Sequence, residues 1–292
     1  YLVCLACGGE LTVSAKTEAD AKQLLEGTLR CIACGAVYPV RGGIPRFIPL
    51  TQHYTQAFGL EWLKHARTQF DSYTGLPLSE KRFFKETRWP RNMAGEVILE
   101  VGCGSGRFTG QALRTGATVV SFDASVAVEA NYEAHGESDR ALIVQADISA
   151  MPFRKRFFDR LFCIGVLQHT PNPEKTFYGL TKFVKPGGYL AADVYRRHPW
   201  WRQMWNTRYW VRPITKRMNP KRLYHWCEWY VHAVWPLVKL IHRLPFGTTI
   251  NAKLLVPEFL GVYAFSSEHH QRAWALLHLF DWLSPRYDKP QT

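Results

Sequence analysis

Residues 97–108 read Val-Ile-Leu-Glu-Val-Gly-Cys-Gly-Ser-Gly-Arg-Phe, an apolar run closed by an acid and followed by three alternate glycines. A run of this kind ending at a glycine cluster is the pattern of a buried parallel strand that enters a tight turn ahead of a helix. At Gly102, Gly104 and Gly106 no Cβ stands between a ligand and the backbone. A dinucleotide fingerprint needs its third glycine three residues after the second, but that position is Arg107, and the third glycine comes one residue early, at Gly106. A pyrophosphate cradle is therefore disfavoured.

The same grammar repeats downstream. Residues 119–123 form a second apolar run, closed by Asp123 and followed by Ala124, and Asp123 lies twenty-one residues past Gly102. A carboxylate at a strand end accepts two hydrogen bonds from vicinal hydroxyls, as no apolar residue there would. Residues 141–148 supply a third run with Asp147 and Ile148 at its close, and residues 158–169 a fourth. Residues 189–194 supply a fifth behind the turn Lys185-Pro186-Gly187-Gly188. Strands alternating with helical stretches predict an α/β fold with a doubly wound parallel sheet.

Gly-x-Gly-x-Gly behind Glu100, with Asp123 and Asp147 at the next two strand ends, resembles the cofactor loop of class I S-adenosylmethionine-dependent methyltransferases. The resemblance covers residues 94–195. It implies a Rossmann-like sheet with helices on both faces and S-adenosylmethionine held by Glu100, Gly102, Cys103, Gly104, Gly106, Asp123, Ala124, Asp147, Ile148, Ile164 and Gly165. In the family, Asp123 faces the ribose and Asp147 the adenine amino group. The family fold also closes with two more strands as an antiparallel edge hairpin. Only five are accounted for before Thr292, so a fragment with an exposed sheet edge is expected, with residues 280–290 resembling the lead-in to the missing strands. The other source of a strand pair is 244–263, where Leu254-Leu255-Val256 is cut off by Pro257.

Enzymes of this kind that act on exocyclic base amines carry Asn or Asp followed by Pro-Pro-aromatic at the end of the fourth strand, where this chain has Ile164-Gly165-Val166-Leu167. Gly-Val-Leu-Gln-His-Thr-Pro is instead similar to the small-molecule and quinone-type methyltransferases, which favours transfer to oxygen or carbon. His169 is the candidate general base, since imidazole near neutral pH suits a phenol, hydroxyl or activated carbon acid. The competing reading has it hydrogen-bond the backbone and shape the loop. Asp193 and Tyr195 are further candidates for holding the acceptor.

Cys4-x-x-Cys7 and Cys31-x-x-Cys34 are separated by twenty-three residues, and each pair is followed by glycine. Two glycine knuckles donating four thiolates complete a tetrahedral shell with no open position, so the predicted role of zinc is structural. A disulfide pair is the rival. Nothing resembling a secretory leader is present, and Cys103, Cys163 and Cys227 read as free thiols of a reducing, cytoplasmic compartment. Residues 38–47 after the second knuckle resemble the ribbon of the small zinc activator that partners several methyltransferases, here fused in cis.

The chain, 292 residues with 47% apolar content, divides into a zinc-ribbon module over 1–50, a helical lid or linker over 51–93, the core over 94–195 and a helical cap over 196–292. In the second segment Tyr54, Phe58, Trp62, Phe70, Tyr73, Phe83, Phe84 and Trp89 recur at roughly helical intervals, which predicts helices laid on the sheet, as packing, as a lid, or as both. Formal charge is +13, and residues 196–245 hold eleven Arg and Lys against one Glu, a net of +10. Nine of the eleven tryptophans follow residue 195, so Trp200, Trp201, Trp205, Trp210, Trp226, Trp229 and Trp235 are candidates to line an acceptor pocket. One reading makes 196–245 a platform for a membrane surface or a lipid-linked acceptor. A second makes it a single-stranded RNA grip, and with it the chain an RNA methyltransferase. A third makes it a helical cap with a solvated basic face. A small-molecule or lipid-linked acceptor is favoured over nucleic acid, and a non-catalytic docking partner of another methyltransferase is the remaining alternative.

Overall fold

The computed structural model describes residues 1–19, 24–48, 55–197, 199, 206–260 and 267–291. The amino-terminal module is an antiparallel sheet of β1 (Leu11–Ala19), β2 (Leu24–Cys31), β3 (Val37–Arg41) and β4 (Ile44–Pro45), in that order. Its two cysteine turns close through Gly8 N–H to Cys4 O at 2.8 Å and Gly35 N–H to Cys31 O at 3.0 Å. Both glycines sit at positive φ, +75° and +76°.

The core sheet contains β5 (Val97–Val101), β6 (Thr118–Asp123), β7 (Ala141–Gln145), β8 (Phe158–Cys163) and β9 (Val184–Ala192), all parallel, in the order β7-β6-β5-β8-β9. The apolar runs read in the sequence are these strands. The Lys185–Gly188 turn does not precede the last strand; it is an irregularity within β9, between the pairs Phe158↔Val184 and Arg160↔Tyr189. Leu99, Val120, Val144 and Leu161 meet in one buried layer on one face of the sheet, and Ile98, Val119, Phe162 and Ala191 in another on the opposite face. Order reversal occurs beside β5, so the crevice at the carboxyl ends of β5 and β8 is the switch point of the sheet.

The lid segment holds α1 (Gln56–Lys64), α2 (Asp71–Thr74) and α3 (Leu78–Thr87). Phe83 of α3 and Trp89 pack on the sheet face with Ile98 and Phe162, as expected. α1 does something else: Ala57 is buried among Leu223, Trp235, Leu279 and Phe280 of the carboxyl-terminal helices. Tyr54 lies outside the described residues. Helices α4 (Thr109–Arg114), α5 (Val128–His135) and α6 (Pro173–Leu180) follow β5, β6 and β8. α6 starts at Asn172, whose side chain accepts Lys175 N–H, with Pro173 in the first turn.

After the core come α7 (Arg208–Thr215), α8 (Pro220–His242), α9 (Gly247–Lys253) and α10 (Glu268–Leu283). Leu254-Leu255-Val256 is no strand; it follows α9, and Val256 is buried in the helical layer. Arg212 is no surface charge: it donates to Trp282 O at 3.1 Å and Pro285 O at 2.9 Å and pairs with Asp288. Residues 280–290, read as a lead-in to edge strands, instead finish α10 at Leu283 and turn back to the core, where Lys289 N–H reaches Gln168 O at 2.9 Å and, just beyond, Gln291 N–H reaches Tyr195 O at 2.8 Å.

The ribbon docks on the outer edge of β7. Phe47 N–H donates to Gln145 O at 2.8 Å, and Val3 N–H donates to Pro152 O at 2.8 Å. Buried Arg46 donates to Gln145 Oε1 at 3.0 Å, to Arg41 O at 3.1 Å and to Glu129 Oε1 at 2.6 Å. Gln145 in turn donates to Ala124 O at 3.2 Å. Arg46→Ala is expected to destabilise the chain by roughly 2 kcal/mol and to raise hydrogen exchange in β3 and β4 ahead of β5 and β6. Unchanged exchange there would mean that the packing of Phe47 alone holds the ribbon.

Candidate active site

Gly102 and Cys103 N–H both donate to Phe122 O, at 2.9 and 3.0 Å, which folds the loop after β5 onto the end of β6. Gly104 N–H then donates to Asp123 Oδ2 at 3.1 Å, while Asp123 Oδ1 accepts the amide and the hydroxyl of Ser125, each at 2.8 Å. A Cβ on Gly102 would stand 2.4 Å from Val166 and one on Gly106 2.2 Å from Asn131 Oδ1, and both residues have positive φ. These two are glycines because neighbours already fill the space a side chain would take.

Below the loop, Glu100 is fully buried and turned away from the crevice. The hydroxyls of Thr109 and Ser121 both donate to its Oε2, the latter at 2.8 Å. Asn131 donates to both hydroxyls, at 3.1 and 3.0 Å. One directed network thus ties β5, β6, α4 and α5 together. Burial pushes the Glu100 carboxyl up to about 7 against the pull of its two hydroxyl donors.

At the other end of the chain, Cys4 Sγ lies 3.6 Å from Cys34 Sγ and Cys7 Sγ 3.5 Å from Cys31 Sγ, and all four lie within 4.8 Å of one another. Thiolates around a zinc ion at about 2.3 Å stand about 3.8 Å apart, so the four sulfurs fit a tetrahedral shell. Tyr38 OH lies 3.2 Å from Cys4 Sγ and holds that thiol down, to about 6.

The crevice is a cleft of about 1160 Å³, part of it open to solvent. Its floor carries Gly102, Cys103, Gly104, Asp123, Ala124, Ile148, Ile164, Gly165 and His169. Three residues predicted to bind the cofactor do not line it. Glu100 is turned beneath the loop, Gly106 is packed against Asn131, and Asp147 Oδ1 is taken by the amide and hydroxyl of Ser149, at 2.7 and 2.5 Å. His169 Nδ1 lies 3.1 Å from Tyr287 O. A carbonyl only accepts, so Nδ1 carries the hydrogen and, in the neutral ring, Nε2 keeps a lone pair. Tyr195 also lines the cleft. Asp193 does not; it receives the Gly165 N–H and pairs with Arg82 at 2.9 Å, holding both.

Of the roof, α10 is what sequence reasoning missed; Phe58 and Trp62 belong to the segment that reads as packing or a lid. Phe58, Glu61 and Trp62 come down from α1, and Leu277, His278 and Asp281 from α10. None of the described tryptophans after residue 195 is among the lining residues: Trp210, Trp226 and Trp229 are exposed, and Trp235 is buried in the helical layer. Trp200, Trp201 and Trp205 lie outside the described residues. The inward face of α8 packs against α1 and α10, so α10 and not the basic segment supplies the roof. Burial pushes the Glu61 carboxyl well up, with Asp281 adding to it, and it raises Asp281, which His169 partly opposes. Burial lowers His278 to about 3, helped by Arg107 and Arg82. Single acids amid apolar neighbours, Asp281 in Phe280-Asp281-Trp282-Leu283 and Glu61 in Leu60-Glu61-Trp62-Leu63, are the sequence signal that could have found these residues.

Glu100 also gives a stability signature. Its folded value lies above the unfolded one, so its contribution is complete below pH about 4.5 and is lost as pH rises through about 7. Glu100→Gln is expected to flatten the fall in thermal stability across that window by an amount on the order of 3 kcal/mol. Parallel wild-type and variant melting curves against pH would contradict the network as drawn.

Residues 99–192 match the family described as Methyltransferase domain. The ubiquinone biosynthesis O-methyltransferase of Pseudomonas syringae pv. tomato is 30% identical over 176 residues, 59% of this chain and 64% of that protein. That of Pseudomonas fluorescens (strain SBW25) is 30% identical over 111 residues, 37% of this chain and 48% of that protein. The chain thus spans between about half and two thirds of these curated relatives. A solved phosphoethanolamine N-methyltransferase 1 from Haemonchus contortus superposes with a TM-score of 0.40 at 16% identity, over 49% of this chain and 32% of the other, a likeness too slight to bear on the acceptor. Sheet order, glycine loop and the matched segment together make residues 99–192 a methyltransferase domain by family match, similar in layout to class I S-adenosylmethionine-dependent enzymes.

Proposed function

We propose that this chain transfers a methyl group from S-adenosylmethionine to an oxygen or carbon of a small-molecule or lipid-linked acceptor. One observation carries the reading: the glycine loop with the Asp123 carboxylate and the His169 imidazole open onto the same roofed cleft. Gly102, Cys103 and Gly104 would cradle the cofactor, Asp123 would take its ribose hydroxyls, and Ala124, Ile148, Ile164 and Gly165 would bound it. Glu100 acts on the loop from below and Asp147 stands outside the lining. The bound cofactor supplies an activated methyl on a cationic sulfur, so alignment is most of what the protein must add. The chain's own contribution is the rest. His169 Nε2 takes the acceptor's hydroxyl proton as the new oxygen–carbon bond forms, and Tyr287 O fixes the tautomer that makes this feasible. Phe58, Trp62 and Leu277 exclude water, and Glu61, His278 and Asp281 offer hydrogen bonds in a site of low dielectric.

The working division remains a ribbon over 1–50, a lid over 51–93, a cofactor core over 94–195 and a cap over 196–292. Cys4, Cys7, Cys31 and Cys34 hold one structural zinc in this reading, supported by their mutual spacing. A cytoplasmic setting, at a membrane surface for a lipid-linked acceptor, goes with it.

Methyl-labelled S-adenosylmethionine, incubated with the protein and a cell extract, is expected to leave label in the organic fraction. Label in RNA would overturn this choice of acceptor, and no label anywhere would favour a docking role. His169→Ala should cut turnover by roughly a hundredfold or more while cofactor binding is kept. A variant that changed only acceptor affinity would make His169 a shaping residue. Stripping the metal with a chelator should raise hydrogen exchange over residues 1–48 while β5 to β9 stay protected, and a ribbon unaffected by it would remove zinc from the account.

A further inference from the structure

Helix α8 carries two apolar stripes. The inward one, Leu223, Cys227, Val231, Trp235 and Val238, is buried against α1 and α10. The second runs along the solvent side at steps of three and four through Trp226, Trp229, Ala233, Leu237 and Leu240. Trp229 is 66% exposed and Leu240 59%, and just past the helix end Leu244 continues the stripe and Phe246 is 84% exposed. On α7, Trp210 and Ile214, one turn apart, are 66% and 70% exposed. Among the described residues these side chains cover no cleft and no core.

The flanks of the outer stripe are basic. Lys221, Arg222, His225, Lys239 and Arg243 are exposed beside it, and among the described residues Lys239 pairs with Glu268 and His225 with Glu228. Tryptophan and leucine between arginine and lysine suit the boundary of headgroups and acyl chains, where the apolar parts sink and the cations stay with phosphates. No helix among the described residues is long and apolar enough to cross a bilayer. Pro236, Lys239, His225 and His232 interrupt α8 in particular, which ends on a third histidine, His242. A nucleic acid would use the cations and stack on tryptophan but leaves Leu237, Leu240 and Leu244 without a partner. A second copy would set +13 against +13.

We propose that the outer stripe of α8, continued by Leu244 and Phe246, is a membrane-contact surface that lies in the headgroup layer of an anionic bilayer. It holds the helical layer that roofs the cleft against the lipid. This deepens the lipid-linked reading of the acceptor but stands apart from it, because the contact needs neither cofactor nor acceptor.

The test is flotation of the full chain with vesicles of phosphatidylcholine and phosphatidylglycerol, against vesicles of phosphatidylcholine alone. Binding is expected on the anionic vesicles, with a blue shift of tryptophan emission. The combined variant Trp229→Ser, Leu237→Ser, Leu240→Ser and Phe246→Ser should weaken it on the order of tenfold or more. These positions are exposed, and unchanged circular dichroism and S-adenosylmethionine binding check that the variant is folded. Lys221→Ser with Arg222→Ser and Arg243→Ser, or high salt, should weaken binding to anionic vesicles as well. Wild-type protein that stays off the vesicles overturns the proposal. So does binding that salt abolishes but the apolar variant leaves intact, and so does retention on RNA without retention on vesicles. Methyl transfer that fails while flotation succeeds would count against the enzymatic reading and leave this surface standing.

Discussion

The hydrogen bonds that converge on Glu100 are the constraint from which the site follows. The loop after β5 must leave a parallel strand, touch β6 and start a helix within a few residues, and a buried carboxyl beneath it holds the four elements it serves. Thr109 belongs to α4, Ser121 to β6 and Asn131 to α5, and each hydroxyl that donates to Glu100 accepts in turn from Asn131 Nδ2. A network of this kind is rigid because each member is costly to leave unpaired. With β5, β6 and both helices so fixed, the Gly104 amide and the Asp123 carboxylate meet across the crevice with little freedom left.

The roof obeys a different logic. The cleft is assembled from segments far apart in the chain: α1 before the sheet, the strand ends within it, and α10 after it. Apolar packing of α1 against α8 and α10 brings the two roof helices together. The same packing strips water from Glu61, His278 and Asp281. Burial then discourages charge on all three, which leaves Arg82, Arg107 and Asp123 as the charged groups of the same cleft. A positive sulfur and a departing proton are strong electrostatic events in such a place.

Much of the floor was legible in the sequence because parallel strands are buried on both faces and read as unbroken apolar runs. The glycine spacing and Asp123 sit at the ends of such runs, where periodicity changes, and His169 lies past the end of β8 in a 3-10 turn over Leu167–His169. Legibility failed wherever the answer depends on which helix lies over which strand. Glu100 reads as a cofactor ligand from its position but points under the loop, since the strand's alternation turns it toward Ser121. The tryptophans of the basic segment suggested a pocket, yet α8 turns Trp235 into the helical core and Trp226 and Trp229 to the outside. Asp281 and Glu61 are single acids in apolar helices, and nothing in their spacing says that the two helices meet. Lys185-Pro186-Gly187-Gly188 has turn chemistry, but pairing on both sides of it makes it an irregularity inside a strand.

The ribbon's seat on the core is apolar as well as polar: Phe47 is buried in the layer that holds Leu99 and Leu161, with Leu2, Leu29 and Tyr38 packed against it, Ile44 clusters with Val128 and Ile143, and the guanidinium of Arg46 and the Leu2–Phe153 bridge close the strand edge. Joined by a few residues between Ile48 and Thr55, the two partners meet at an effective concentration in the millimolar range. Covalent connection thus adds proximity to contact in keeping the Arg46–Gln145–Ala124 line closed.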